Sequence, residues 1–141
     1  MNEKAFLPTV RELARCYQAF ERFSAAQVRA FDLTPSQFDV VATLGNTAGM
    51  SPKELGEKTL MTKGTLTGVI DRLQERKLVR RTPSPDDGRS QIVRLTASGD
   101  ALFRKTFPIM LAHLNRAFAP LNAKDHERIG AALRQLRTLF E

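Results

Sequence analysis

Two short runs hold most of the chain's chemically useful side chains: Thr62-Lys63-Gly64-Thr65-Leu66-Thr67-Gly68 and Asp86-Asp87-Gly88-Arg89-Ser90. The first sets hydroxyls, which donate and accept, beside an ammonium group and glycines that leave backbone uncovered. The second puts a guanidinium and a hydroxyl on a turn crowded with carboxylates. Hydroxyls and cations suit phosphate oxygens and base edges. No nucleophile–base pair, paired-carboxylate arrangement or phosphate-loop spacing accompanies them, so binding is expected rather than catalysis. His113 and His126 fall on different predicted helices, with no acid or thiol at ligand spacing beside His113, so neither a metal nor a cofactor is expected.

Composition points the same way. The 141 residues suit one domain, with 42% hydrophobic and 26% charged side chains. Lys and Arg number 22 against 15 Asp and Glu, a net charge of +7 that favours a polyanionic partner. Residues 51–96 hold ten basic and six acidic side chains, a net of +4 in a third of the length. No apolar run is long enough to span a bilayer, and the N-terminus has no signal-peptide pattern, so a cytoplasmic protein without a membrane partner is expected. The single cysteine fits a reducing compartment.

The elements that must position these runs follow from periodicity and caps. Pro8 to about Phe31 reads as a long helix. Thr34-Pro35-Ser36-Gln37 has the spacing of a capping box for a second helix, with Phe38, Val41 and Leu44 on its apolar face. Ser51-Pro52-Lys53-Glu54 repeats that pattern for a short third helix. Thr62 can cap a fourth, whose buried stripe is Leu66, Val69, Ile70 and Leu73. A strand at LVRRT, a turn at PSPDDG and a second strand at SQIVRLT form a hairpin, with Val93 and Leu95 alternating with polar neighbours. A helix from Ala97 to about Phe118, offset near Pro108, precedes a last helix capped by Asn122 and running to the C-terminus. The expected fold is mostly α, with about six helices and a two-stranded wing.

A short helix, a second helix and a hairpin make a winged helix-turn-helix, whose second helix enters the major groove of double-stranded DNA. Ser51, Lys53, Thr62, Lys63, Gly64, Thr65, Thr67, Arg72, Arg89 and Ser90 are the candidate DNA contacts. Two glycines in the first two helical turns cost about 1 kcal/mol each in propensity, which packing alone explains poorly.

The stretch MTKGTLTGVIDRLQERKLVRRTPSPDDGRSQIVRLTASGDAL resembles the core of a MarR-family transcriptional regulator. The resemblance is carried by a T-x-x-T-x-T-x-x-x-D-R-L helix, an L-V-x-R strand, a D-x-R-S turn and a V-x-L-T-x-x-G segment. It implies a cytoplasmic homodimer on a palindromic operator, most often a repressor released by a small molecule. It also implies that Arg89 enters the minor groove, held by Asp87 and Asp71. Such bracing would fix a long side chain before DNA arrives and would explain acids on a DNA-facing tip. Gly68 departs from the pattern, since many relatives carry a basic residue there, so no operator sequence follows by analogy.

Residues 34–96 are then expected to form the DNA-binding lobe, and residues 1–31 with 97–141 the dimerisation lobe. Leu13, Tyr17, Ile129, Leu133, Leu136 and Phe140 are the candidate dimer contacts. A pocket for a small aromatic or lipophilic effector is expected near Phe20, Phe38, Val41, Met61, Met110 and His113, each of which also reads as plain core. Cys16 is expected to be a buried structural thiol, since Tyr17 beside it points elsewhere on a helix. Two other uses of the same basic face stay open: DNA binding without sequence preference, and docking of a protein.

Overall fold

The computed structural model describes residues 3–86 and 88–141. Among these are six helices and one two-stranded antiparallel sheet, as the periodicity and caps predict. In chain order they are α1 (Leu7–Arg29), α2 (Pro35–Leu44), α3 (Pro52–Thr59), α4 (Lys63–Glu75), β1 (Val79–Pro83), β2 (Gln91–Leu95), α5 (Ala97–Phe118) and α6 (Ala123–Thr138). One compact unit ends at Met110 and the other is Leu111–Glu141.

Local chemistry sets the helix starts. The Thr34 hydroxyl accepts from the Gln37 N–H and the Gln37 amide oxygen accepts from the Thr34 N–H, both at 3.1 Å, closing the predicted capping box of α2. Ser51 caps α3 by accepting from the Glu54 N–H at 3.1 Å. Asn122 and Asp125 form a second capping box at α6. α6 ends at Thr138 rather than at the C-terminus, so Phe140 lies just past the helix, its N–H donating to the Arg137 carbonyl at 3.0 Å.

The first unit's core is built on α2, which buries Gln37, Phe38, Val40, Val41 and Leu44. Leu55 of α3, Leu66, Val69, Ile70 and Leu73 of α4, Val79 of β1 and Val93 of β2 close around it. Each such side chain contributes about 1.5–3 kcal/mol on burial. The hairpin pairs Val79 with Leu95, Arg81 with Val93 and Pro83 with Gln91, so these six residues share one face. Met50 adds a bridge to Val93, with bonds of 3.0 and 2.9 Å.

The L-T-x-x-G segment fastens the hairpin's root. The Thr96 hydroxyl donates to the Lys77 carbonyl at 2.6 Å and accepts from the Gly99 N–H at 3.1 Å, while the Thr96 N–H donates to the Leu78 carbonyl at 3.0 Å. A Cβ on Gly99 would collide with that Leu78 carbonyl oxygen, so only glycine fits.

α1 contrasts with α2, since Val28 is its only buried residue and every residue from Arg11 to Arg22 is exposed. Phe6, Val10, Leu13, Tyr17 and Phe20 form an uncovered stripe at helical spacing. Cys16 lies on this stretch and is exposed, which corrects the expectation of a buried thiol. The reason is that α1 packs within the chain only near its C-terminal end. In the second unit α6 buries no residue, Leu133 and Phe140 are exposed, and Ile129 and Leu136 are half-buried. No helix among the described residues is long and apolar enough to cross a membrane.

Candidate nucleic-acid interface

α4 turns Leu66, Val69, Ile70 and Leu73 inward, which leaves Lys63, Gly64, Thr65, Thr67, Asp71 and Arg72 on the outside. Thr62 caps the helix, its hydroxyl accepting from the Thr65 N–H at 3.3 Å and donating to the Thr65 hydroxyl at 3.0 Å. Thr65 is exposed, so its hydroxyl keeps hydrogen-bonding capacity toward solvent. Thr67 donates to the Lys63 carbonyl at 2.9 Å and keeps its lone pairs for accepting. The first two turns thus expose a hydroxyl on one flank, at Thr65, and a hydroxyl and an ammonium group on the other, at Thr67 and Lys63. The uncapped N–H groups of the first turn add a partial positive charge.

Gly64 and Gly68 lie on the same side of this helix. A Cβ on either would meet nothing within 4 Å. The fold itself therefore does not require glycine at these positions, and alanine would fit both.

Ser51 sits half-buried as the cap of α3, and Lys53 is exposed on its first turn. Arg89 and Ser90 are exposed on the turn between β1 and β2. The two proposed braces for Arg89 fare differently. Asp87 lies outside the described residues. The partner the structure gives Asp71 is Arg81, whose Nη2 donates to Oδ1 at 2.6 Å while Nη1 donates to the Gln74 amide oxygen at 2.8 Å. Arg81 is 20% exposed and joins β1 to α4. The sequence reading missed it as a site residue. Its inward phase with Val79 in the strand alternation was the available signal.

Phe38, Val41 and Met110 are buried core residues, Met61 and His113 are half-buried, and Phe20 is exposed. A surface cleft lies elsewhere, lined by Arg29, Asp32, Leu33, Thr34, Gln37 and Arg76. None of the predicted effector residues borders it. Asp39, half-buried on α2, has its carboxyl pKa raised by burial.

Comparison with known proteins fits this geometry. A family profile described as MarR family matches residues 31–90. The transcriptional repressor NicR of Pseudomonas putida is 34% identical over 84% of this chain and 77% of its own length. The regulator MhqR of Bacillus subtilis is 26% identical over 96% of this chain and 93% of its own. Among solved structures, a probable transcriptional regulator from Pseudomonas aeruginosa aligns with a TM-score of 0.71 at 32% identity, covering 86% of this chain and 92% of that one. Bordetella bronchiseptica BpsR, whose DNA binding is regulated by 6-hydroxynicotinic acid, aligns with a TM-score of 0.79 at 28% identity, over 92% and 98% of the two chains. With a winged helix-turn-helix in the structure and relatives at this level along most of its length, this chain belongs to the MarR family.

Proposed function

We propose that the protein is a sequence-specific, DNA-binding transcriptional regulator that acts in the cytoplasm as a homodimer on a palindromic operator. It represses, and a small-molecule effector releases it. It works by binding, not by catalysis. The observation that carries this reading is the uncovered face of α4, where Lys63, Thr65 and Thr67 stand exposed above an apolar stripe turned wholly inward. Such a face has the size and donor–acceptor content a major groove accepts. Ser51, Lys53, Thr62 and Arg72 flank it, and Arg89 and Ser90 extend it into the wing.

The dimer reading is supported by the apolar stripe of α1 and by Leu133 and Phe140 beyond it in sequence, all exposed in the single chain. Apolar rows of this length on terminal helices call for a partner. Residues 34–96 serve as the DNA-binding lobe and residues 1–31 with 97–141 as the dimerisation lobe. NicR is named as a repressor and BpsR responds to a small aromatic acid, which supports repression and effector release here.

The test is selection of bound duplexes from genomic fragments, followed by competition against random DNA. The expected result is a palindrome with half-sites about 10 base pairs apart, bound about a thousandfold or more tighter than random sequence. Arg89→Ala is expected to weaken that binding about tenfold or more. Equal affinity for random duplex would move the reading to DNA binding without sequence preference.

A further inference from the structure

The hairpin sets two arginines face to face. Arg80 of β1 lies directly opposite Arg94 of β2, on the face turned away from Val79, Arg81 and Val93. Side chains paired in this way stand about 5 Å apart at Cβ, and like charges there repel. An acid at either position would remove the repulsion, and the register supplies none. Neither arginine has an ion pair or a side-chain hydrogen bond among the described residues. Arg81 shows the contrast, since it faces the other way and is paired with Asp71 at 2.6 Å.

Two polar atoms on this outer face are buried with no hydrogen-bond partner among the described residues: Nε of Arg94 and Oγ1 of Thr82. Thr82 stands opposite Ile92, so it is the diagonal neighbour of Arg94 on the same face. Gly49, left-handed at φ 102°, lies against the foot of Arg94, where a Cβ would come to 3.0 Å from the Arg94 Cβ. The base of Arg94 is therefore packed, while Arg80 across from it is exposed. A buried donor without an acceptor is costly, and an anion seated between the two guanidinium groups relieves that cost and the repulsion together.

We propose that Arg80 and Arg94 clamp one backbone phosphate of duplex DNA between them, beside the Thr82 hydroxyl. Two guanidinium forks on one phosphate turn a repelling pair into a bridged one. Position selects the source of the phosphate. The pair stands three residues, about 10 Å, behind Pro83 and Gln91, the last rung before the turn that carries Arg89. A minor groove about 7.5 Å deep takes that turn and leaves the pair level with the flanking phosphates. The inner face of the hairpin is tied to α4 through Arg81 and Asp71. The outer face therefore meets the wall of the minor groove on the side away from α4. The clamp rests on the DNA-binding reading above, and it anchors the wing whatever the base sequence.

The experiment is fluorescence anisotropy of the full chain on the selected duplex and on a random one, from about 50 to 200 mM salt. It compares the wild type with Arg80→Ala, Arg80→Glu and a control, Arg104→Ala, whose arginine pairs with Asp100. Arg80→Ala is expected to weaken binding to both duplexes about threefold or more, and to lower the slope of log affinity against log salt by about 0.9 per wing. The control is expected to match the wild type. Arg80→Glu sets an acid opposite Arg94, so Tm is expected to hold or rise while affinity falls further. A loss of Tm and affinity together would overturn the clamp in favour of a folding role. Single neutral methylphosphonates in the selected duplex are expected to mark one phosphate per half-site, on the wall away from α4. Its neutralisation should weaken the wild type about threefold or more and leave Arg80→Ala unchanged. An unchanged salt slope in Arg80→Ala would overturn the clamp and leave the regulator reading intact. Saturable NMR shifts of the Arg80 and Arg94 amides by inorganic phosphate, with that slope unchanged, would overturn DNA as the source of the phosphate. If selection yields no preferred duplex, the sequence-specific reading fails and the random duplex still decides the clamp. Absence of any duplex binding would overturn both.

Discussion

The double substitution Gly64→Ala, Gly68→Ala separates what α4 needs for folding from what it needs for DNA. Neither new methyl group meets a heavy atom within 4 Å, so no packing cost opposes it. Gly68 is interior to the helix and alanine there is worth about 1 kcal/mol in propensity, while Gly64, in the first turn, is worth about half that. The sum is about 1.5 kcal/mol of added stability. For a chain of 141 residues the unfolding entropy near the midpoint is about 0.3 kcal/mol/K, so Tm should rise by about 5 °C. Affinity should move the other way. If the bare backbone lies against DNA, each methyl group is inserted into a packed contact, where excess volume costs about 1–3 kcal/mol. Binding should then weaken about tenfold or more. Thermal unfolding by circular dichroism and fluorescence anisotropy on the selected duplex read the two quantities on the same preparation. A variant that is more stable yet binds DNA as tightly as the wild type would refute the reasoning. The glycines would then have no part in the contact.

Further predictions concern the parts that hold the site. Leu60 ends α3 in a left-handed conformation (φ 60°) with its side chain 89% exposed, so Leu60→Gly should stabilise by about 0.5–1 kcal/mol once glycine's greater freedom in the unfolded chain is subtracted; denaturant unfolding checks it. Asp71→Ala removes the carboxylate from Arg81, and because Asp71 is 54% exposed the stability loss should be about 1 kcal/mol; unchanged urea midpoints would show that the Arg81 bridge is dispensable. Burial raises the Asp39 pKa, so the folded state binds its proton more tightly than the unfolded state does. That contribution is complete below the ordinary carboxylate range and is lost as pH climbs through the raised value. Asp39→Asn should accordingly raise Tm at pH 7 and have little effect at pH 3, in paired melting curves.

The helix starts were legible because each cap is decided within three residues: Thr34 with Gln37, Ser51 with Glu54, Thr62 with Thr65, Asn122 with Asp125. The hairpin was legible for a similar reason, since alternation and turn residues both lie in one short stretch. What escaped depends on register or distance. Arg81 meets Asp71 across ten residues, and only the packing of β1 against α4 brings them together. The surface cleft joins residues 29–37 to Arg76, with 39 positions separating Arg76 from Gln37, and no periodicity announces such a meeting. Cys16 was misjudged because the sequence shows an apolar helical face but not whether its own chain covers it. Gly64 and Gly68 carry a propensity cost, and the open space above both shows that packing within the chain does not demand it.

The bonds of Thr96 and the tight seat of Gly99 weld three things at one point: the end of the turn after α4, the foot of the hairpin, and the opening turn of α5. A hinge cannot be placed there without breaking hydrogen bonds. The turn after α4, the foot of the hairpin and the first turn of α5 must therefore move together, and any bend in α5 has to fall beyond its opening turn.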